Sequence, residues 1–138
     1  MFSSHFNDVL GALEKTAVAR DRQGGHAAAE KALLRDAGLL RLAIPREHGG
    51  DALNWPDIYR HVRALAAVDS ALAHVLAFHQ LQVATVLIYG SRQQQRLWLR
   101  RTIDENGWWG NALNPRDTRL QALPRSSELT GGYVLEIG

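Results

Sequence analysis

Two places in the chain hold residue types at spacings that can do chemistry. The first is His79. Leu72, Val75, Leu76, His79, Val83, Val86 and Leu87 recur at helical spacing, so the imidazole of His79, two turns beyond Leu72, points where the leucines point. Two readings stand open for it: a core histidine satisfied by one backbone carbonyl, or a ring facing a cofactor or substrate pocket. The second place is "WWGNALNPRD", residues 108–117. Its start alternates with a period of two, so Trp108 and Trp109 face opposite sides of a strand, one sealing a core and the other covering something outside it. Asn111 shares the face of Trp109.

An amide such as Asn111 both donates and accepts, which suits a ring edge that alternates N–H and C=O, as in a flavin or a nucleobase; anchoring of a sheet edge is the plainer reading. Other chemistries find little support. His74 lies off the face of His79, and there is no H-E-x-x-H or cluster of carboxylates and histidines at ligand spacing, so no metal site is expected. The Gly-Gly pairs at Gly24, Gly49 and Gly131 make neither G-x-G-x-x-G nor a P-loop, and no G-x-S-x-G elbow occurs. Zero cysteines exclude disulfides, a thiolate metal site and a cysteine nucleophile, and fit a reducing compartment.

These residues need a scaffold, and the composition supplies one. The 138 residues are 46% hydrophobic and 22% charged, ordinary for a folded globular domain. The formal charge is only +2, with the arginines spread from Arg20 to Arg125, which argues against a nucleic-acid surface. The first twenty residues lack the basic start and apolar run of a signal peptide, and no stretch approaches the roughly 20 apolar residues of a membrane span, so a cytoplasmic chain without membrane contact is expected.

Apolar spacing predicts a helix over 6–20, ended by Gly24 and Gly25, and a second over 26–37 with Gly38 just beyond it. A connecting segment follows, punctuated by Pro45 and the Gly49-Gly50 pair. A third helix starts at Pro56, capped by Asn54 or Trp55, and a fourth runs over 71–89, capped by Asp69 or Ser70. "SRQQ" at 91–94 is a capping box that opens a fifth helix reaching Asp104. "WWGNAL" and "YVLEI" then alternate as strands. The expected organisation is mainly α: a helical region over 1–106, and at 107–138 the incomplete start of a β structure.

The order of these features resembles the N-terminal part of the acyl-CoA dehydrogenase superfamily of flavoenzymes. The resemblance rests on "AGLLRLAIPREHGGDALNW", "VDSALAH", "YGSRQQQ" and "WGNALNPRD". Gly38 to Gly50 match the family's GL…IPxxxGG segment, Asp69 and Ser70 its D-x-S, and Gly90, Ser91 and Gln94 its G-[ST]-x-x-Q helix start. It implies an α-helical domain followed by a β-barrel-like middle domain and a C-terminal helical bundle, with a flavin, FAD or FMN, between them. Asn111, Leu113 and Asn114 fall where family members contact the ring, and Trp109 joins them as a cofactor-binding candidate.

The family's dehydrogenases carry A-[LM]-T-E-P followed by G-S-D, whereas here Ala112, Leu113, Asn114, Pro115 and Arg116 stand in sequence and G-S-D is absent. A "GNA" strand start with a histidine in the preceding helix is closer to the reduced-flavin monooxygenases that oxidise organosulfur compounds. That likeness makes His79 the catalytic candidate and Asn111 its companion. It further implies a small-molecule substrate, a flavin reductase supplying reduced flavin, and a homo-oligomer, tetramer or dimer. An FAD-dependent acyl-CoA dehydrogenase is the second reading and a truncated, non-catalytic helical module the third; the chain as it stands is expected to be incomplete for catalysis.

Overall fold

The computed structural model describes residues 2–110, together with the backbone of two strands at 125–129 and 132–136. Five α-helices carry the fold: α1 (Ser4–Gln23), α2 (Ala28–Asp36), α3 (Trp55–Ala66), α4 (Ser70–Tyr89) and α5 (Arg92–Asp104). The mainly helical character expected from the sequence is observed. Each cap has a mechanism. Ser3 accepts from Phe6 N–H, Asn54 from Asp57 N–H with Pro56 in the first turn, and Asp69 from Leu72 N–H, each satisfying a donor the helix itself leaves open. Ser91 and Gln94 form the reciprocal capping box read from the sequence.

Helix α4 is central, packing against both α3 and α5. One core cluster joins Phe6, Val9 and Leu13 of α1 to Leu34, Leu40, Ile58, Leu65, Leu72 and Leu76; a second gathers Ile44, Val83 and Leu99. Arg20 ties three helices together, with its guanidinium 2.6 Å from Asp69 and 3.4 Å from Glu30.

Between α2 and α3 the chain makes two 3-10 turns, Leu39–Arg41 and Arg46–His48, then doubles back on itself. Asp51, Ala52 and Leu53 N–H donate to Arg41, Ile44 and Leu42 carbonyls at 3.1, 2.9 and 2.8 Å. This return explains the glycine pair. Gly49 has φ +94°, and a Cβ on Gly50 would lie 2.0 Å from the Ile44 carbonyl oxygen.

Some expectations need adjustment. Helix α4 is long and apolar enough, by length and composition, to cross a membrane, contrary to the reading that no stretch comes close. It serves here as a core helix: Leu72, Ala73, Leu76, His79, Gln80 and Val83 are buried, and the two polar members bond to backbone from the 3-10 segment. Residues 108–110 of the expected "WWGNAL" strand take no strand conformation, and the rest of that stretch lies outside the described residues. "YVLEI" does form a strand, β2 (Gly132–Glu136), paired antiparallel with β1 (Arg125–Leu129) in the register Arg125 to Glu136. The sequence reading missed β1 because "RSSEL" has no apolar alternation.

Candidate functional site

His79 is fully buried. Its Nε2 lies 2.8 Å from the Leu40 carbonyl oxygen, and the Trp109 backbone N–H donates to its Nδ1 at 3.1 Å. A carbonyl can only accept and an amide N–H only donate, so the partners fix the tautomer: Nε2 carries the hydrogen and Nδ1 is the acceptor. Burial pushes the imidazole's pKa below its usual value, outweighing the Leu40 bond that acts to raise it. The ring is therefore neutral at pH 7, and both of its nitrogens are engaged within the chain.

Trp108 and Trp109 take different surroundings from the same stretch. The Trp108 indole meets His79 edge-on, ring centroids 5.4 Å apart, and Lys31 Nζ stands 5.8 Å from its centre. Its Nε1–H is buried without an acceptor among the described residues. Trp109 packs on the Ile44, Val83 and Leu99 cluster, lies edge-on to Trp98, and donates its Nε1–H to Thr102 Oγ1 at 2.8 Å. Thr102 in turn donates to the Trp98 carbonyl at 2.7 Å.

The structure thus brings His79 and Trp109 together. Asn111, Leu113 and Asn114 lie outside the described residues. A surface cleft bordered by Arg35, Arg41, Thr102, Ile103 and Asn106 flanks this junction, and His79 does not line it. Two further polar residues belong to the junction and escaped the sequence reading. Gln80 is fully buried; its amide donates to Leu39 O at 2.7 Å and accepts from Ala43 N–H at 3.2 Å. Thr102 is 6% exposed, and its position three residues after the buried Leu99 was the one signal of its inward face.

Residues 10–106 match the family model described as acyl-CoA dehydrogenase, N-terminal domain. The chain belongs to that family. As an acyl-CoA dehydrogenase N-terminal domain it has relatives with narrower names. It is 46% identical over 112 residues to the "Probable FMNH2-dependent monooxygenase SfnC" of Pseudomonas putida, covering 81% of this chain and 28% of that protein. The solved structure of methanesulfinate monooxygenase MsuC from Pseudomonas fluorescens superposes with a TM-score of 0.82 at 39% identity, covering 98% of this chain and 34% of that one. Dibenzothiophene monooxygenase TdsC from Paenibacillus sp. A11-2 gives a TM-score of 0.79 at 29% identity, covering 95% of this chain and 32% of that one; TdsC has also been solved with FMN bound. The chain spans about a third or less of the length of each relative.

Proposed function

We propose that this domain is the N-terminal part of a flavin-dependent monooxygenase that uses reduced FMN and dioxygen on a small organosulfur substrate. The observation that carries the reading is the buried junction at His79: a neutral imidazole bonded to the backbone of Trp109, beside a Trp108 N–H that has no acceptor among the described residues. These residues fit a flavin, whose ring is planar and carbonyl-bearing and meets aromatic walls and open donors readily. The names of the relatives favour FMN over FAD and an organosulfur compound over an acyl-CoA.

In this reading residues 1–106 are the helical domain and 107–138 begin a β middle domain. Asn111, Leu113, Asn114 and Trp109 line the flavin. Because the Trp109 N–H of the indole is committed to Thr102, Trp109 contributes ring surface rather than a hydrogen bond. When bound, reduced flavin supplies the electrons that activate dioxygen. The chain's own contribution is to exclude water with the Ile44, Val83 and Leu99 cluster and to present neutral donors and acceptors. For His79 to act on the reacting atoms, Trp109 must release Nδ1, since Nε2 is held by Leu40. A flavin reductase supplies the reduced flavin, and the protein works as a homo-oligomer, dimer or tetramer, in the cytoplasm.

The test is His79→Ala in the protein as its gene encodes it. With FMN saturating, the fraction of reduced FMN lost as hydrogen peroxide should increase; unchanged coupling overturns the role of His79. The second reading, an FAD-dependent acyl-CoA dehydrogenase, has the family match in its favour and the Asn114-Pro115-Arg116 sequence against it.

A further inference from the structure

We propose that Thr102 is a positioning residue, whose hydroxyl fixes Trp109 and through it the start of the segment that meets the flavin; this rests on the function proposed above. Trp109 is held at two ends by two helices. Its backbone N–H is bonded to His79 of α4 at 3.1 Å and its indole Nε1–H to Thr102 of α5 at 2.8 Å. The Thr102 hydroxyl hydrogen is itself used on the Trp98 carbonyl at 2.7 Å, which orients the oxygen's lone pairs toward the indole and prevents the hydroxyl from turning away without losing a bond. A threonine that bonds the carbonyl four residues back is common in helices; one that also receives an indole N–H, while 6% exposed, has a task beyond the helix.

The indole is further confined by the Ile44, Val83 and Leu99 cluster below it and by Trp98 at its edge, ring centroids 6.0 Å apart. Both ends of Trp109 are thus bonded, and when its backbone N–H releases His79 the Thr102 bond still holds the indole on α5. Asn111 follows only two residues later, within about 7 Å along the chain, so the space it can reach is set by where Trp109 stands. Releasing the indole leaves the backbone bond to His79 as the one polar anchor among the described residues, and the segment that follows loses its fixed origin.

The experiment compares wild type, Thr102→Val and Thr102→Ser in the protein as its gene encodes it, reading indole N–H exchange by 15N NMR and FMN affinity by fluorescence titration. Valine keeps the shape and removes the acceptor; serine restores it. Thr102→Val should speed exchange of one indole N–H and weaken FMN binding, each by about tenfold, with helix content unchanged, and Thr102→Ser should behave as wild type in both. Trp109→Phe, which removes the donor and some ring surface and leaves Thr102 intact, should weaken FMN at least as much, and adding Thr102→Val to it should change little. FMN affinity within twofold of wild type after the indole is released overturns the positioning role. Indole exchange untouched by Thr102→Val overturns the clamp itself. A wild type that binds no FMN defeats the functional reading and this proposal's flavin clause together, a result distinct from either of the others.

Discussion

Replacing Gly50 by alanine is a one-carbon change with a large expected effect. A Cβ there would lie 2.0 Å from the Ile44 carbonyl oxygen, 2.4 Å from its Cβ and 2.5 Å from its carbonyl carbon. All three belong to backbone or to its first side-chain atom, so no flexible side-chain end can move aside. Relief requires separating Gly50 from Ile44, and that separation strains Gly50 N–H to Pro45 O, Ala52 N–H to Ile44 O and Leu53 N–H to Leu42 O. At about 0.5–1.5 kcal/mol for each hydrogen bond, losing them costs roughly 2–4 kcal/mol. Displacing Ile44, fully buried against Val83 and Leu99, adds a packing loss of about 1 kcal/mol or more. Against a typical total of about 5–15 kcal/mol, Gly50→Ala should lower the urea midpoint sharply while leaving the m-value near that of wild type. Because Ile44 also supports the Trp109 indole, near-UV circular dichroism of the tryptophans should weaken in the variant even below its unfolding transition. A Gly50→Ala protein within about 0.5 kcal/mol of wild type, a value ordinary for surface substitutions, would refute the close approach and the account of the return built on it.

Other expectations follow from the same contacts. Gln80→Leu strips partners from Leu39 O and Ala43 N–H in the core and should cost about 2 kcal/mol or more in chemical denaturation. Asp69→Ala removes both the α4 cap and the Arg20 partner; a loss of about 1–3 kcal/mol is expected, with Asp69→Asn recovering the part due to the cap. The pH dependence has two separate origins. Burial lowers the His79 pKa in the folded state, so the unfolded chain takes up its proton first; the stability present above pH 6.5 falls as pH drops below that value, and His79→Gln should abolish this phase. At Asp69 burial acts to raise the pKa, but the Leu72 N–H and Arg20 together hold it below 3.8, so its contribution is present above that value and is lost as pH falls through the lowered folded pKa. Acid titration of the unfolding free energy in wild type and His79→Gln separates the two.

The helices were legible because their signals are local. Ser91 and Gln94, Asn54 with Pro56, and Asp69 each cap a helix by reaching a backbone N–H three residues on, and such spacing can be read from a single sequence. His79 was visible as a polar residue in an apolar stripe. The true buried arc of α4 differs from the stripe: Ala73 and Gln80 are inside, while Val75, Val86 and Leu87 are only partly covered. What shifts it is long-range, since the 3-10 segment aims Leu39 and Leu40 carbonyls at α4 and selects polar residues at positions 79 and 80. Neither the return at Gly50 nor the Thr102 clasp leaves a mark in hydrophobic spacing, because each is a contact across a turn, Gly50 back to Ile44 and Thr102 on to Trp109, rather than a periodicity. The polar "RSSEL" strand owes its form to pairing with β2, which apolar alternation cannot report.

The most direct test of the central claim is isotopic. The protein as its gene encodes it is mixed anaerobically with chemically reduced FMN and either methanesulfinate or dibenzothiophene, then exposed to 18O2. The expected result is one labelled oxygen atom inserted into organosulfur product for each reduced FMN oxidised. Quantitative release of labelled hydrogen peroxide with no label in either organosulfur compound would contradict it.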